Sequence, residues 1–236
     1  MVPAERTYPG LFISLEGTDG AGKTTQAVLL SEALRKRGLA VINSHEPGGT
    51  RIGEQVRAIL HDVRHAEMLP ATEVLLFAAS RAQHVGERIR PALEAGQIVV
   101  CDRYSESTLA YQGYGRGLDL DSLREITRFA TGNLRPDLVI LLDLDAHQAM
   151  ERRKHDEETG GTERNRLDRL DCAFYERVRR GYRSMADQEP GRWLVLDATR
   201  PITEIHQAIW ERVDRLLDEG NASGESDTQT RELTTR

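Results

Sequence analysis

One nine-residue segment constrains this chain more than any other. It is Gly17-Thr18-Asp19-Gly20-Ala21-Gly22-Lys23-Thr24-Thr25, which stands directly behind the apolar run Leu11-Phe12-Ile13-Ser14-Leu15. The segment contains G-x-x-x-x-G-K-[ST], the pattern of a loop that wraps a triphosphate. Its glycines let successive backbone N–H groups turn inward with no side chain in the way. Lys23 then reaches the β/γ oxygens, and the Thr24 hydroxyl is placed to ligate Mg²⁺. Such a loop requires a strand before it and a helix after it, and the sequence offers both. All nine residues are therefore candidates for holding the phosphates of a nucleoside triphosphate, with Lys23 a candidate catalytic cation.

The rest of the chain repeats that strand–helix alternation. Apolar, β-branched runs predict strands at Leu11 to Glu16, Ala40 to Ser44, Ile98 to Asp102, Leu138 to Asp143 and Trp193 to Asp197. Between them, helical patterns cover Lys23 to Arg37, Ile52 to Leu60, Ala71 to Ala95, Ser105 to Gln112, Leu120 to Thr131, Ala146 to Lys154, Cys172 to Gln188 and Ile202 to Leu217. Gly38 is positioned to stop the first helix and Pro91 to kink or break the third. The expected fold is α/β of the P-loop NTPase kind: a five-stranded parallel sheet, helices on both faces and a mobile lid. Its ligands bind beyond the carboxyl ends of the strands. Residues 1–8 read as a short extension, 9–218 as one domain, and the polar stretch 219–236 as a disordered tail.

Composition narrows the partners. The net charge of −6 argues against a nucleic-acid or anionic-membrane surface. No apolar stretch approaches the ~20 residues of a membrane span and no signal core opens the chain, so a cytoplasmic protein is expected. Cys101 and Cys172 are too few for a disulfide framework or a zinc site. Lysine occurs only at positions 23, 36 and 154, so nearly every cation is an arginine, the side chain suited to bidentate phosphate contacts.

Beyond the loop, Asp102 closes a strand at the edge where the phosphates would lie, and an acid there is required for Mg²⁺, usually through water. Arg103 follows, ready for a second phosphate. Phosphoryl transfer must exclude water, and residues 151–171, dense in arginine and interrupted by Gly160-Gly161, suit a lid. The variable loop positions Thr18, Asp19, Gly20 and Ala21 carry no cation, so charge building on the transferred group must be met from elsewhere. His45, His61, His65 and His84 read as surface or packing residues.

Several segments together resemble the bacterial thymidylate kinase family over roughly Leu11 to Leu217. They are Gly17 to Thr25, Glu46-Pro47-Gly48-Gly49-Thr50, Leu76-Phe77-Ala78-Ala79-Ser80-Arg81, Asp102-Arg103-Tyr104, Tyr111-Gln112-Gly113 and Arg166-Leu167-Asp168-Arg169. The resemblance implies ATP-dependent phosphorylation of dTMP to dTDP with Mg²⁺, and a homodimer. It implies that Phe77 stacks on the thymine, that Arg81 donates to its O4, and that Thr108 and Gln112 meet the pyrimidine edge and sugar. It places Tyr111 against the sugar 2′ carbon, Asp19 on the 3′-hydroxyl and near the metal, Arg57 and Arg103 on the acceptor phosphate, and Pro47 in the pocket wall. Thr24 and Asp102 are the implied metal-binding pair. Asp19, Lys23, Arg103 and the lid arginines Arg164, Arg166 and Arg169 carry catalysis, with Arg152 or Arg153 near ATP and Asp168 beside the acceptor. The alternatives are another nucleoside monophosphate or deoxynucleoside kinase of this fold, and a nucleotide-dependent switch. No Asn-Lys-x-Asp guanine-reading segment supports the switch.

Overall fold

The computed structural model describes residues 7–159 and 171–233. Five strands, β1 (Leu11–Glu16), β2 (Val41–His45), β3 (Ile98–Asp102), β4 (Leu138–Asp143) and β5 (Trp193–Asp197), form one parallel sheet in the order β2-β3-β1-β4-β5. Only β2 differs from expectation, by one residue. The three inner strands are buried almost throughout, whereas the two edge strands are half-buried or exposed except at Ser44 and Trp193. That is the expected pattern when helices cover both faces of a parallel sheet.

The faces are set by the period of two. Leu11, Ile13 and Leu15 pack with Leu30 and Leu34 of α1 (Lys23–Lys36) and Ile209 and Val213 of α9 (Ile202–Leu233). On the opposite face, Phe12, Val99 and Cys101 pack against Val85, Ile89 and Leu93, while Val139 and Leu141 meet Val178 and Tyr182 of α8 (Cys172–Gln188). Gly38 ends α1 as expected: its φ of 83° is left-handed, and Leu39 N–H donates back to Leu34 O.

Two of the expected helices contain a widened turn. The run expected as one helix from Ala71 to Ala95 is α3 (Pro70–His84), a wide turn over Val85–Ile89 with i→i+5 geometry, and α4 (Arg90–Glu94). Pro91 lacks the N–H that an α-helix needs and crowds the carbonyl four residues back. The widened turn immediately ahead of it absorbs that conflict, so the chain stays helical instead of breaking. Similarly, the helix expected over Ser105 to Gln112 is a short α5 (Ser105–Thr108) continued by a wide segment, Leu109–Gly115. A Cβ at Gly115 would lie 2.6 Å from the Phe174 ring, so the segment packs against α8 more closely than a side chain there would allow.

The remaining helices are α2 (Arg51–His61), α6 (Leu120–Thr131) and α7 (Ala146–Glu158). α9 runs on to Leu233, through residues where the composition predicts disorder. Its packed first turns supply the nucleus, after which each added residue costs little. The lid residues 160–170, among them Arg164, Arg166, Asp168 and Arg169, lie outside the described residues, as do 1–6 and 234–236. Tyr8, placed by sequence in the extension, packs against the third hydrophobic cluster.

In β1–β3 pairing, Leu15 stands opposite Asp102. The loop after β1 and the Asp102-Arg103 corner after β3 therefore emerge side by side at the point where strand order reverses.

Candidate active site

α1 begins at Lys23 with Gly22 as its cap residue, in a left-handed conformation (φ 91°) and with no side chain capping the helix. Its first backbone N–H groups are left for an anion, at the positive end of the helix dipole. Gly20 is required for a different reason. Its φ is 80°, and a Cβ there would lie 3.1 Å from Ala149 O and against the Arg152 and Arg153 side chains, because α7 packs on the loop tip. Lys23 Nζ donates to Thr18 O at 2.8 Å. Burial lowers the Lys23 pKa to about 8, the neighbouring Arg103 cation pushes the same way, and Asp19, Asp102 and Glu16 oppose.

At the adjacent corner, the Thr24 hydroxyl donates to Asp102 Oδ2 at 2.5 Å. Arg103 has φ 71°, an unusual conformation for a residue with a side chain. Its backbone N–H donates to Leu15 O. The guanidinium spreads over the cleft: Nη2 donates to Asp19 Oδ1 (2.7 Å) and the Tyr111 hydroxyl (3.0 Å), and Nη1 donates to Ser107 Oγ (3.1 Å) and the Tyr182 hydroxyl (3.3 Å). Beneath it lies Glu16, which accepts from Ser107 Oγ, the Tyr182 hydroxyl and Tyr104 N–H. Burial, with Glu106 nearby, raises the Glu16 pKa to about 7. Asp19 behaves oppositely. Burial would raise it, but Arg103, Lys23 and Arg153 outweigh that and hold it well below the usual carboxylate range.

A cleft of about 1130 Å³ runs from this corner to a second wall. Gly20, Gly22, Lys23, Thr24 and Thr25 line its phosphate end; Pro47, Arg57, Phe77, Thr108, Tyr111 and Gln112 line the other. Thr108 and Gln112 share this wall despite the wide turn between them. Arg57 Nη1 donates to Pro47 O at 2.9 Å, which ties α2 to the acceptor loop. Arg153, at 3.7 Å from Asp19 and hydrogen-bonded to the Tyr175 hydroxyl, closes the cleft from the α7 side.

The chain as a whole is similar to known proteins. A sequence profile described as thymidylate kinase matches residues 15–209. The chain is 51% identical to the thymidylate kinase of Roseiflexus castenholzii over 88% of this chain and 94% of that one. It is 50% identical to the thymidylate kinase of Deinococcus radiodurans, over 86% and 96% respectively. The crystal structure of thymidylate kinase from Ehrlichia chaffeensis superposes with a TM-score of 0.69 at 31% identity, covering 86% of this chain and 98% of that one. The chain belongs to the thymidylate kinase family.

Within this thymidylate kinase fold, the expected site residues fall into two groups. Asp19, Gly20, Gly22, Lys23, Thr24, Thr25, Pro47, Arg57, Phe77, Asp102, Arg103, Thr108, Tyr111 and Gln112 converge on one cleft. Arg81 does not line it. This residue is buried behind the wall, where Nε donates to Glu46 Oε2 (2.7 Å), Nη1 to Thr108 Oγ1 (2.9 Å) and Nη2 to Tyr104 O (3.0 Å). In this structure it holds Thr108 rather than facing a ligand directly. Gly17, Thr18 and Ala21 shape the loop from behind: a Cβ on Gly17 would lie 2.5 Å from Leu142 O, and Thr18 and Ala21 are buried.

The histidines also divide. His84 is buried between Ser44 Oγ and Glu46 Oε1, a packing role as expected, whereas His45 and His61 line the cleft. Sequence reasoning assigned no role to Glu16, Glu46 or Glu73, all buried acids. A signal existed, since Glu16 closes an apolar strand and Glu73 opens the apolar run Val74-Leu75-Leu76. A charge among such neighbours must have a partner to be buried.

Proposed function

We propose that this chain transfers the γ-phosphoryl group of ATP to the 5′-phosphate of dTMP, giving dTDP and ADP, with Mg²⁺ as cofactor. The observation that carries this reading is the cleft that joins an uncapped phosphate-loop helix to a wall bearing two aromatic rings (Phe77 and Tyr111), two polar side chains (Thr108 and Gln112) and two arginines (Arg57 and Arg103). ATP occupies the loop end. Phe77 offers a face to the base, Thr108 and Gln112 its edge contacts, and Tyr111 and Asp19 flank the sugar. Arg57 and Arg103 hold the acceptor phosphate.

An oxygen of that phosphate attacks the γ-phosphorus as the bond to the β,γ-bridging oxygen breaks. The attacking oxygen is already ionised, so no general base is used and catalysis is positioning plus charge neutralisation. Lys23 supplies one cation at the donor. Arg103 is the cation that exchanges Asp19 for an incoming phosphate oxygen. Arg153, and Arg164, Arg166 and Arg169 of the lid, meet the charge that the cation-free loop leaves unmatched.

Thr24 and Asp102 would hold Mg²⁺. Their hydroxyl and carboxylate oxygens are the hard donors that ion takes, and they open on the phosphate end of the cleft. Among the described residues no group of three or more His, Cys, Asp or Glu could hold a metal ion. When bound, the ion neutralises charge on the β and γ oxygens.

Residues 9–218 form one kinase domain in this reading, and the enzyme works in the cytoplasm. No helix among the described residues is long and apolar enough to cross a membrane. The partner in a homodimer covers α2, α3 and α6, which expose Ile59, Leu75 and Phe129, the last 92% accessible. Phe129→Glu is expected to yield monomers in sedimentation velocity.

An ADP-release assay across acceptors tests the activity. Strong turnover with dTMP, weaker turnover with dUMP and little without acceptor is the expected result. Equal ADP production with and without dTMP overturns the reading.

A further inference from the structure

Gln112 lines the cleft and its Nε2 donates to Glu73 Oε1 at 2.8 Å. Glu73 is buried on α3 and is also held by Arg116, whose Nε donates to the same Oε1 at 2.7 Å while Nη2 donates to Oε2 at 2.8 Å. With three N–H donors aimed at its two oxygens, the Glu73 carboxylate serves as an acceptor on both. The amide of Gln112 therefore has one allowed orientation: NH₂ toward Glu73, carbonyl oxygen toward the cleft. That oxygen has no protein donor among the described residues. Four positions earlier, Thr108 Oγ1 already accepts from Arg81, so its proton is left to donate.

We infer that Glu73 is a specificity-determining positioning residue: by fixing the Gln112 amide, it makes the acceptor wall accept a hydrogen bond from the base, which selects pyrimidines carrying a ring N3–H. The inference rests on the function proposed above. Thymine and uracil present N3–H beside a C4 carbonyl, which complement an acceptor at Gln112 and a donor at Thr108. Cytosine presents a bare N3 beside an amino group, so both polarities are reversed. An acceptor facing an acceptor leaves two buried polar atoms unpaired, the circumstance in which sites reject a near-isostere most strongly. The wall does not touch on the 5-methyl group, so it separates dTMP from dCMP without separating dTMP from dUMP.

The test is kcat/KM for dTMP, dUMP and dCMP with ATP. In Glu73→Gln the partner of Gln112 is itself an amide that can flip, and the Gln112 amide is free to turn over. The dTMP:dCMP ratio is expected to fall about tenfold or more, with the dTMP:dUMP ratio changed less than twofold. Gln112→Leu is expected to lower the dTMP:dCMP ratio similarly, and Glu73→Gln added to it is expected to lower it no further. Should Glu73→Gln fail to fold with Arg116 left unpaired, Glu73→Leu combined with Arg116→Met replaces the ion pair by apolar side chains and also frees the amide. An unchanged dTMP:dCMP ratio in the folded variants overturns the inference, as does a parallel fall in both ratios. Failure of the wild-type protein to use dTMP would instead overturn the proposed function.

Discussion

Arg103–Asp19 and Arg81–Glu46 are both arginine–carboxylate pairs closed at 2.7 Å, yet they sit in opposite environments. Arg81 and Glu46 are 2% and 3% accessible, and His84 and Thr108 occupy the atoms left over. Arg103 and Asp19 are 15% and 32% accessible and open on the cleft. The first pair has no route for exchange: opening it would strand a charge in the interior. The second can exchange a carboxylate for a phosphate oxygen with no new desolvation. Pair geometry thus says little about role, and access to the cleft says most of it.

Four substitutions break or sharpen that contrast. Arg81→Met strands Glu46, whose carboxyl burial would raise but Arg81 and His84 hold low. A loss of about 3–5 kcal/mol in urea unfolding is expected, and unchanged stability would place the pair in the exchangeable class. Arg103→Ala should cut kcat/KM for dTMP by about 10²–10³-fold while costing far less stability than Arg81→Met. Large destabilisation with intact kinetics would erase the distinction between the pairs.

Glu16 supplies a pH test of the network beneath Arg103. Its folded pKa of about 7 exceeds the ordinary 4.5, so the folded state binds its proton more tightly. The contribution is complete below pH 4.5 and is lost as pH rises through 7, on the order of 3 kcal/mol in all. Glu16→Gln is expected to flatten that part of the stability–pH curve, and an identical curve would show that Glu16 is not buried as described. The smallest effect is expected at Thr50, which caps α2 by accepting from Gly53 N–H at 3.0 Å. Thr50→Ala should cost about 1 kcal/mol of stability with the dTMP KM within twofold, as befits the locked side of the cleft.

The phosphate half of the site was legible because its chemistry is backbone chemistry. Glycines at fixed spacing, a lysine and a hydroxyl residue leave little choice of conformation, and a strand ending in Asp102 supplies the neighbouring acid. The strands were legible because inner parallel strands are apolar on both faces. The helical irregularities were not: Pro91 announces a conflict but not its resolution, and the wide segment through Tyr111 and Gln112 follows from packing on Phe174, which is far away in sequence.

By itself, then, the sequence determined the fold class, the phosphate loop and the family, since each depends on local periodicity or on contiguous motifs. It also named most of the side chains that line the cleft. Tertiary structure alone decided which way those side chains act. Arg81 turns from the cleft to Glu46, α7 rather than a loop arginine crowds Gly20, and Glu73 sets the polarity of Gln112. The physical reason is that a side chain or turn takes its meaning from what pairs with it or packs against it: for Arg81 and Gln112 the partner lies on another element 35 and 39 residues away, and Arg152 of α7, which donates to Gly20 O, is 132 residues away.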